Sequence, residues 1–198
     1  MDLFWVYFQI GFKHVLDISA YDHVLFLAAL TVPYSFKDWK RVLILVSIFT
    51  AGHTVALFLS VFEIITIKAS FVEFLIPITI FFTAGYNLFT AGKTKKKGDL
   101  NWVILITLFF GIIHGLGFSN YFNAILSGFA TDKLIPTLEF ALGIEAAQII
   151  VVFVILSAAF VVQNVFKFSK RDSILVVSSL IIGIIIPMII ESEIWIKK

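Results

Sequence analysis

The chain has 198 residues, of which 60% are hydrophobic and only 14% are charged. Soluble domains contain about 25% charged residues, so the composition excludes a typical soluble domain and predicts a membrane protein. The formal net charge of +2 is too small to indicate a nucleic-acid-binding protein. Cysteine is absent, which excludes disulfides, thiolate catalysis and thiolate metal ligation.

Six apolar blocks are long enough to form transmembrane helices, each of which needs roughly 20 apolar residues. We predict these helices near residues 14–34, 40–62, 69–92, 100–127, 134–165 and 173–191. Residues 3–12 are apolar and aromatic but too few to cross a membrane, and they predict a short N-terminal helix at the membrane interface. The sequence therefore predicts an all-α fold, a polytopic membrane helical bundle with about six transmembrane helices in a single domain over residues 1–198.

The basic residues predict the orientation of the chain. Most of them lie in the connections after the first, third and fifth predicted helices: Lys37, Lys40, Arg41, Lys93, Lys95, Lys96, Lys97, Lys167, Lys170 and Arg171. Because cytoplasmic loops are enriched in lysine and arginine, we expect a multi-pass inner-membrane protein with both termini outside the cytoplasm. The N-terminus lacks the basic region that begins a cleaved signal peptide, so none is expected.

All four histidines lie in apolar stretches long enough to cross a membrane. Ionisable groups at membrane depth usually mark ion pathways, proton relays or metal sites. His23, His53 and His114 have similar predicted depths, between the midplane and the outer surface, in three different helices. The core of a bundle is where facing helices build metal sites, and imidazole suits divalent nickel, cobalt and zinc. The sequence therefore predicts a buried histidine–carboxylate metal site.

Two carboxylates and one amide accompany these histidines. Asp22 is adjacent to His23 and points about 100° away from it on a helix, so it is expected either to bind the metal or to hold the far nitrogen of His23. Glu145 is expected at the same depth with no lysine or arginine beside it, so that a cation or a proton must compensate its charge. Gln148 shares a helix face with Glu145.

Other polar residues are expected outside this core. His14 and Asp17 are three residues apart, and they predict a second, outer site or a station at which an ion first binds. Glu73 is expected to be a solvated acid near the start of its helix, and Glu139 to stand at the outer mouth of the site. Asn87 is expected to form a hydrogen bond between helices rather than to bind metal.

Structural roles are open for the core residues as well. His53 could form a hydrogen bond to a neighbouring helix, and His23 could lie at a helix end and be hydrated by solvent. Gly111 and Gly115, which flank His114 on one helix face, predict the close approach of another helix. Small residues also leave room for an ion beside the imidazole.

The order and spacing of these residues resemble those of one known family, over about residues 11–160. The motifs are Gly11…His14…Tyr21-Asp22-His23-Val24-Leu25-Phe26-Leu27, Phe49-Thr50-Ala51-Gly52-His53-Thr54, Glu73, Asn87, Phe110-Gly111-Ile112-Ile113-His114-Gly115-Leu116-Gly117-Phe118 and Gly143-Ile144-Glu145-Ala146-Ala147-Gln148. The sequence resembles the HupE/UreJ family of nickel permeases, which is associated with hydrogenase and urease. It is closer to the second branch, because Val15 follows His14 where the hydrogenase-linked pattern has proline.

The resemblance implies a six-helix inner-membrane protein that binds a divalent metal and helps it to cross the membrane. Nickel is the metal it implies first, with cobalt and zinc as alternatives. The metal-handling residues that it implies are His14, Asp22, His23, His53, His114 and Glu145. The metal ion is then the substrate, the lipid bilayer is the surrounding partner, and no nucleic acid is expected.

Two functions from different classes use the same residues. A permease, which is not an enzyme, would move the ion down its gradient or along the membrane potential, since the chain has no nucleotide-binding motif. The alternative is a zinc-dependent intramembrane hydrolase. In that reading three histidines and an aspartate hold Zn²⁺ beside an activated water, and Glu145 serves as the general base.

Overall fold

The structure, a computed structural model, describes residues 3–17, 21–93, 99–126 and 133–195. In these ranges the chain is all-helical, as predicted, without strands. The α-helices are α1 (Leu3–Leu16), α2 (Asp22–Thr31), α3 (Trp39–Val61), α4 (Ala69–Thr90), α5 (Asp99–Leu126), α6 (Leu134–Asn164) and α7 (Lys170–Ile190). Short 3₁₀ helices at Phe36–Asp38 and Glu193–Trp195 precede α3 and follow α7.

Helices α3 to α7 form a multi-pass membrane bundle. Among the described residues, these five helices are long and apolar enough to cross a membrane. Each begins and ends within three residues of the bounds predicted from the sequence. The agreement follows from the length of the apolar runs, since a run of more than 20 apolar residues leaves little freedom in where a spanning helix can begin or end.

The prediction of one continuous helix over residues 14–34 is wrong. Helix α1 already ends at Leu16, and α2, which begins at Asp22, is only ten residues long. Asp17 and Asp22 bracket the interruption, and aspartate side chains compete with the helix for backbone hydrogen bonds. The apolar residues 3–12, predicted to form a separate interfacial helix, are the first part of α1.

Helices α3 and α5 pack with their backbones in contact. A Cβ atom added at Gly52 would overlap the carbonyl oxygen of Leu108, and one at Gly111 would overlap that of Phe49. A Cβ atom at Gly115 would overlap the carbonyl oxygen of His53. The close approach predicted around His114 is therefore confirmed, because only glycine allows two helices to lie this near one another.

A second glycine contact holds α1 against α6. Gly11 of α1 faces the backbone of Phe140, and Gly143 of α6 faces the backbone of Phe8. The two contacts are reciprocal, so each helix provides a glycine where the other presents a carbonyl oxygen. This packing places the last turn of α1, which carries His14, inside the bundle rather than on its surface.

The connections α2–α3, α4–α5 and α6–α7 meet at one end of the bundle, which we call the basic end. Arg41, Lys93 and Lys170, one residue from each connection or its adjoining helix, line the same cavity there. The α3–α4 connection lies at the opposite end, where the ammonium of Lys133, the residue before α6, donates to the carbonyl oxygen of Val61 at 2.9 Å.

We expect Gly111→Ala to destabilise the protein, because the added methyl group would overlap the carbonyl oxygen of Phe49 and push α3 and α5 apart. Overpacking of this kind costs about 1–3 kcal/mol. Thermal unfolding of the purified protein in detergent measures the effect as a lower midpoint temperature.

Gly183→Ala in α7 is the matched control, because no atom lies within 4 Å of its added Cβ. It is expected to unfold at or above the wild-type temperature, since alanine favours a helix over glycine by roughly 0.5–1 kcal/mol. Equal midpoints for the two variants would contradict the packing described for α3 and α5.

Candidate metal centre

The four histidines converge at one point in the bundle, and we call them the histidine cluster. They come from four helices: His14 from α1, His23 from α2, His53 from α3 and His114 from α5. The ring centroid of His23 lies 4.6 Å from that of His14, 5.7 Å from that of His53 and 5.4 Å from that of His114. His23 is therefore the centre of the cluster.

The predicted convergence of His23, His53 and His114 is present in the structure, and all three side chains are at least 98% buried. The expectation that His14 stands apart is wrong. Its ring centroid is 4.6 Å from that of His23 and 5.9 Å from that of His53. His14 joins the cluster because helix α1 ends at Leu16. Helix α1 therefore packs along α6 instead of continuing into α2.

Hydrogen bonds fix the protonated nitrogen of two of these rings. His23 Nδ1 lies 3.1 Å from Asp22 Oδ1, which also accepts the backbone N–H of His23 at 2.8 Å. His114 Nδ1 lies 2.9 Å from the carbonyl oxygen of Phe110. Because a carboxylate and a carbonyl can only accept, Nδ1 carries the proton in both rings and Nε2 keeps its lone pair. Asp22 thus holds the far nitrogen of His23, one of the two roles expected for it.

Five buried imidazole nitrogens have no hydrogen-bond partner among the described residues. They are His14 Nε2, His23 Nε2, His53 Nδ1, His53 Nε2 and His114 Nε2. Buried polar atoms are nearly always satisfied, and an unsatisfied one costs about 1–3 kcal/mol. A neutral imidazole carries a proton on one nitrogen and a lone pair on the other, so the four rings offer at most four lone pairs to a metal ion. A divalent cation with bound water fits this set of imidazole nitrogens.

The ligand atoms are not yet arranged as a coordination shell. Within the described part of the chain, no three histidine, aspartate or glutamate side chains are placed to hold one metal ion as they stand. A metal–nitrogen distance of about 2.1 Å puts imidazole centroids roughly 4.5–5.5 Å apart around one ion. The cluster's spacings of 4.6, 5.4, 5.7 and 5.9 Å lie close to this range. Ligation of one ion thus requires the rings to reorient so that their lone pairs converge on it.

A cavity of about 990 Å³ connects the cluster with the surface at the end opposite the basic end. Its ionisable and imidazole lining residues are Lys13, His14, Asp17, Asp22, His23, Glu73 and His114. Three carboxylates outnumber the single ammonium group, and clefts lined by one sign of charge concentrate ions of the other sign. Asp17 and Glu73 are exposed at the mouth, as expected for Glu73, so a cation would meet them before it reached the histidines.

Aromatic rings close the cluster on the side of the basic end. Phe26 and Phe49 stack with their centroids 4.5 Å apart, and both rings are buried. Their centroids lie 5.1 and 5.0 Å from that of His114. We call this pair the aromatic floor. Among the described cavities, the one that reaches the histidines therefore opens on one side of the floor only.

Sequence reasoning assigned no role to these phenylalanines. Phe26 follows His23 by three residues and Phe49 precedes His53 by four, so each shares a helix face with a histidine. Phe118, four residues after His114, has its ring centroid 3.9 Å from that of His14. This spacing could have predicted that the phenylalanines lie beside the histidines. The chain contains 23 phenylalanines, however, so a phenylalanine three or four residues from a histidine is not a specific signal.

Glu145 and Gln148, both predicted ligands, contact α3 instead of the histidines. The hydroxyl of Ser47 donates to Glu145 Oε1 at 2.5 Å, and that of Thr50 donates to Gln148 Oε1 at 2.9 Å. Neither residue lines the cavity. A neutral hydroxyl does not balance the charge of the carboxylate, so the prediction that a cation or a proton compensates Glu145 stays a prediction.

The rotation of α6 explains this placement. Gly143 faces α1, where its absent side chain admits the backbone of Phe8. Glu145 is two residues further on, about 200° around the helix, and therefore points away from the helix that carries His14. The side chain is only half-buried.

Two further polar residues for which the sequence predicted a position, Asn87 and Glu139, lie outside the histidine cluster. Asn87 forms the expected bond between helices, since its amide donates to the carbonyl oxygen of Ala29 at 2.7 Å. Glu139, predicted at the mouth of the site, is half-buried and lies outside the lining of the cavity.

Comparison with known proteins gives one family. The model of the family described as HupE / UreJ protein matches residues 1–192. No curated protein and no solved structure gave a significant match. The matched region contains all four histidines and nearly the whole chain. The chain therefore belongs to the HupE/UreJ family.

Proposed function

We propose that the histidine cluster binds a divalent transition metal ion and that the protein carries this ion across the membrane. The observation that carries the proposal is the cluster of four imidazoles, in which five buried nitrogens have no hydrogen-bond partner among the described residues. Membership of the HupE/UreJ family is consistent with metal transport in general. Nickel is the metal we propose first; cobalt and zinc share its preference for imidazole ligands.

The ion enters from the cavity as the substrate of the protein. Asp17 and Glu73 at the mouth attract it, and imidazole nitrogens then replace part of its water shell. His23 is the strongest of these donors, because the Asp22 carboxylate holds its Nδ1–H and raises the basicity of Nε2. Cysteine is absent, so release does not have to break strong thiolate bonds.

Passage beyond the cluster requires the aromatic floor to move. Phe26 lies on the short helix α2, which does not continue from α1. Phe49 lies on α3, whose backbone packs directly against that of α5. We therefore assign the movement to α2. The membrane potential supplies about 2.3 kcal/mol per charge for each 100 mV.

Removing the hydrogen bond that orients His23 tests the binding site. Asp22→Asn is expected to weaken nickel binding by about 10- to 100-fold, because an amide is a weaker acceptor for His23 Nδ1–H. Isothermal titration of the purified protein measures the affinity. The absorption spectrum of bound Co²⁺ reports whether nitrogen ligands are lost.

Asp38→Asn is the matched control, since Asp38 also accepts hydrogen bonds from a near neighbour, Ser35, but lies at the basic end. It is expected to bind nickel as the wild type does. Unchanged affinity in both Asp22→Asn and His114→Ala would exclude the histidine cluster as the binding site.

Transport itself is tested in proteoliposomes that contain a metal-sensitive dye. We expect His114→Ala to reduce nickel flux at least about tenfold, because the ion loses one of its nitrogen ligands. Glu145→Gln should keep nickel affinity, since the partner of Glu145 is Ser47 and not a histidine. Absence of flux in the wild type, with nickel still bound, would reject the permease.

That last outcome would favour the alternative, a zinc-dependent intramembrane hydrolase. A cavity that opens on one side is sufficient for hydrolysis, in which substrate and water use the same opening. The placement of Glu145 weighs against it, because the residue expected to act as general base lies outside the cavity lining. The carboxylates that line the cavity, and from which a general base would have to come, are Asp17, Asp22 and Glu73.

A further inference from the structure

A second cavity, of about 350 Å³, lies at the basic end and shares no lining residue with the histidine cavity. Four cationic side chains line it, Arg41, Lys93, Lys170 and Arg171, together with one carboxylate, Asp38. They come from three separate parts of the chain: the start of α3, the residues after α4 and the start of α7. The cavity therefore concentrates positive charge that the sequence distributes over about 130 residues.

The single carboxylate balances at most one of these four cations. Asp38 Oδ2 accepts hydrogen bonds from the backbone N–H of Ser35 at 3.0 Å and from its hydroxyl at 2.7 Å. Among the described residues, no Asp or Glu oxygen lies within 4.0 Å of a nitrogen of the four cationic side chains. Like charges held together at a protein surface repel one another unless an anion joins them. The lining of the cavity therefore keeps a net positive charge.

The turn after α4 lies directly against the start of α7 at this cavity. Gly92 has a φ of +82°, a conformation that glycine adopts readily, and a Cβ atom there would lie 3.0 Å from Arg171 Cδ. The turn after α4 consequently packs on the Arg171 side chain and brings Lys93 beside it. Lys170 and Arg171 also form the first turn of α7, where the helix dipole favours an anion.

The preference for cytoplasmic basic loops explains how many basic residues this end carries, but not why four of them line one cavity without a paired acid. Arginine and lysine around a helix start bind phosphate groups well. Basic pockets between transmembrane helices accept the headgroups of anionic lipids. We propose that this cavity binds a phosphate group, from the headgroup of an anionic phospholipid or from free phosphate.

Binding of a fluorescent short-chain phosphatidylglycerol to the purified protein in neutral detergent tests the site. The wild type should bind this lipid more tightly than the corresponding phosphatidylcholine. The double variant Lys170→Gln/Arg171→Gln should bind phosphatidylglycerol about tenfold more weakly, because two of the four cations are gone. Lys93→Gln, a change at one exposed residue, should give a smaller loss in the same direction.

Lys37→Gln/Lys40→Gln removes the same charge from the same end without touching the cavity, and should stay within about twofold of the wild type. Displacement of the lipid by millimolar inorganic phosphate would identify free phosphate as an occupant, whereas retention would identify the headgroup; either result supports the site. Equal losses in the two double variants, or equal affinity for the two lipids, would overturn the proposal. Neither readout depends on metal binding or transport.

Discussion

The backbone contact between α3 and α5 is the constraint on which the histidine cluster depends. Three glycines remove the side chains that would separate these helices, and each faces a carbonyl oxygen of the partner helix. His53 follows Gly52 and His114 precedes Gly115, so the contact that locks the helices also brings the two imidazoles into the same layer. Because backbone atoms meet here, the site cannot widen by side-chain adjustment alone. For the proposed permease, α3 and α5 form the fixed side of the cluster, and the short α2 is the side to which movement is assigned.

The two ends of the bundle have opposite electrostatic character. Carboxylates predominate at the mouth of the histidine cavity, and cations line the cavity at the basic end. The aromatic floor lies between the two regions. On its histidine side, five buried imidazole nitrogens have no hydrogen-bond partner in the part of the chain that the structure describes. For the proposed permease, this arrangement attracts a cation at one end and opposes its exit at the other unless an anion covers the basic cavity. A phosphate bound at the basic end would lower that barrier, which links the two proposals physically while their tests remain independent.

Much of this architecture was accessible from the sequence because it depends on local properties. The bounds of α3 to α7 follow from the lengths of the apolar runs. The glycines around His114 predict a close contact with another helix. Topology alone assigned His23, His53 and His114 to one depth, since residue number measures height along a straight helix. The bond from Asn87 to a neighbouring helix follows in the same way, because a buried amide in an apolar bundle must find a partner.

What the tertiary structure decided was the direction in which side chains point. The hydropathy of the sequence does not reveal that helix α1 ends at Leu16. Because the helix ends there, His14 lies within the cluster instead of outside it. Depth does not fix rotation either, so Glu145 shares the predicted level of the histidines yet bonds to Ser47, because Gly143 must face α1. The sequence by itself determined which residues lie in the long apolar helices, since that depends on the length of the apolar runs. Only packing between helices decided which of them meet, since rotation about a helix axis is set by the surfaces that touch.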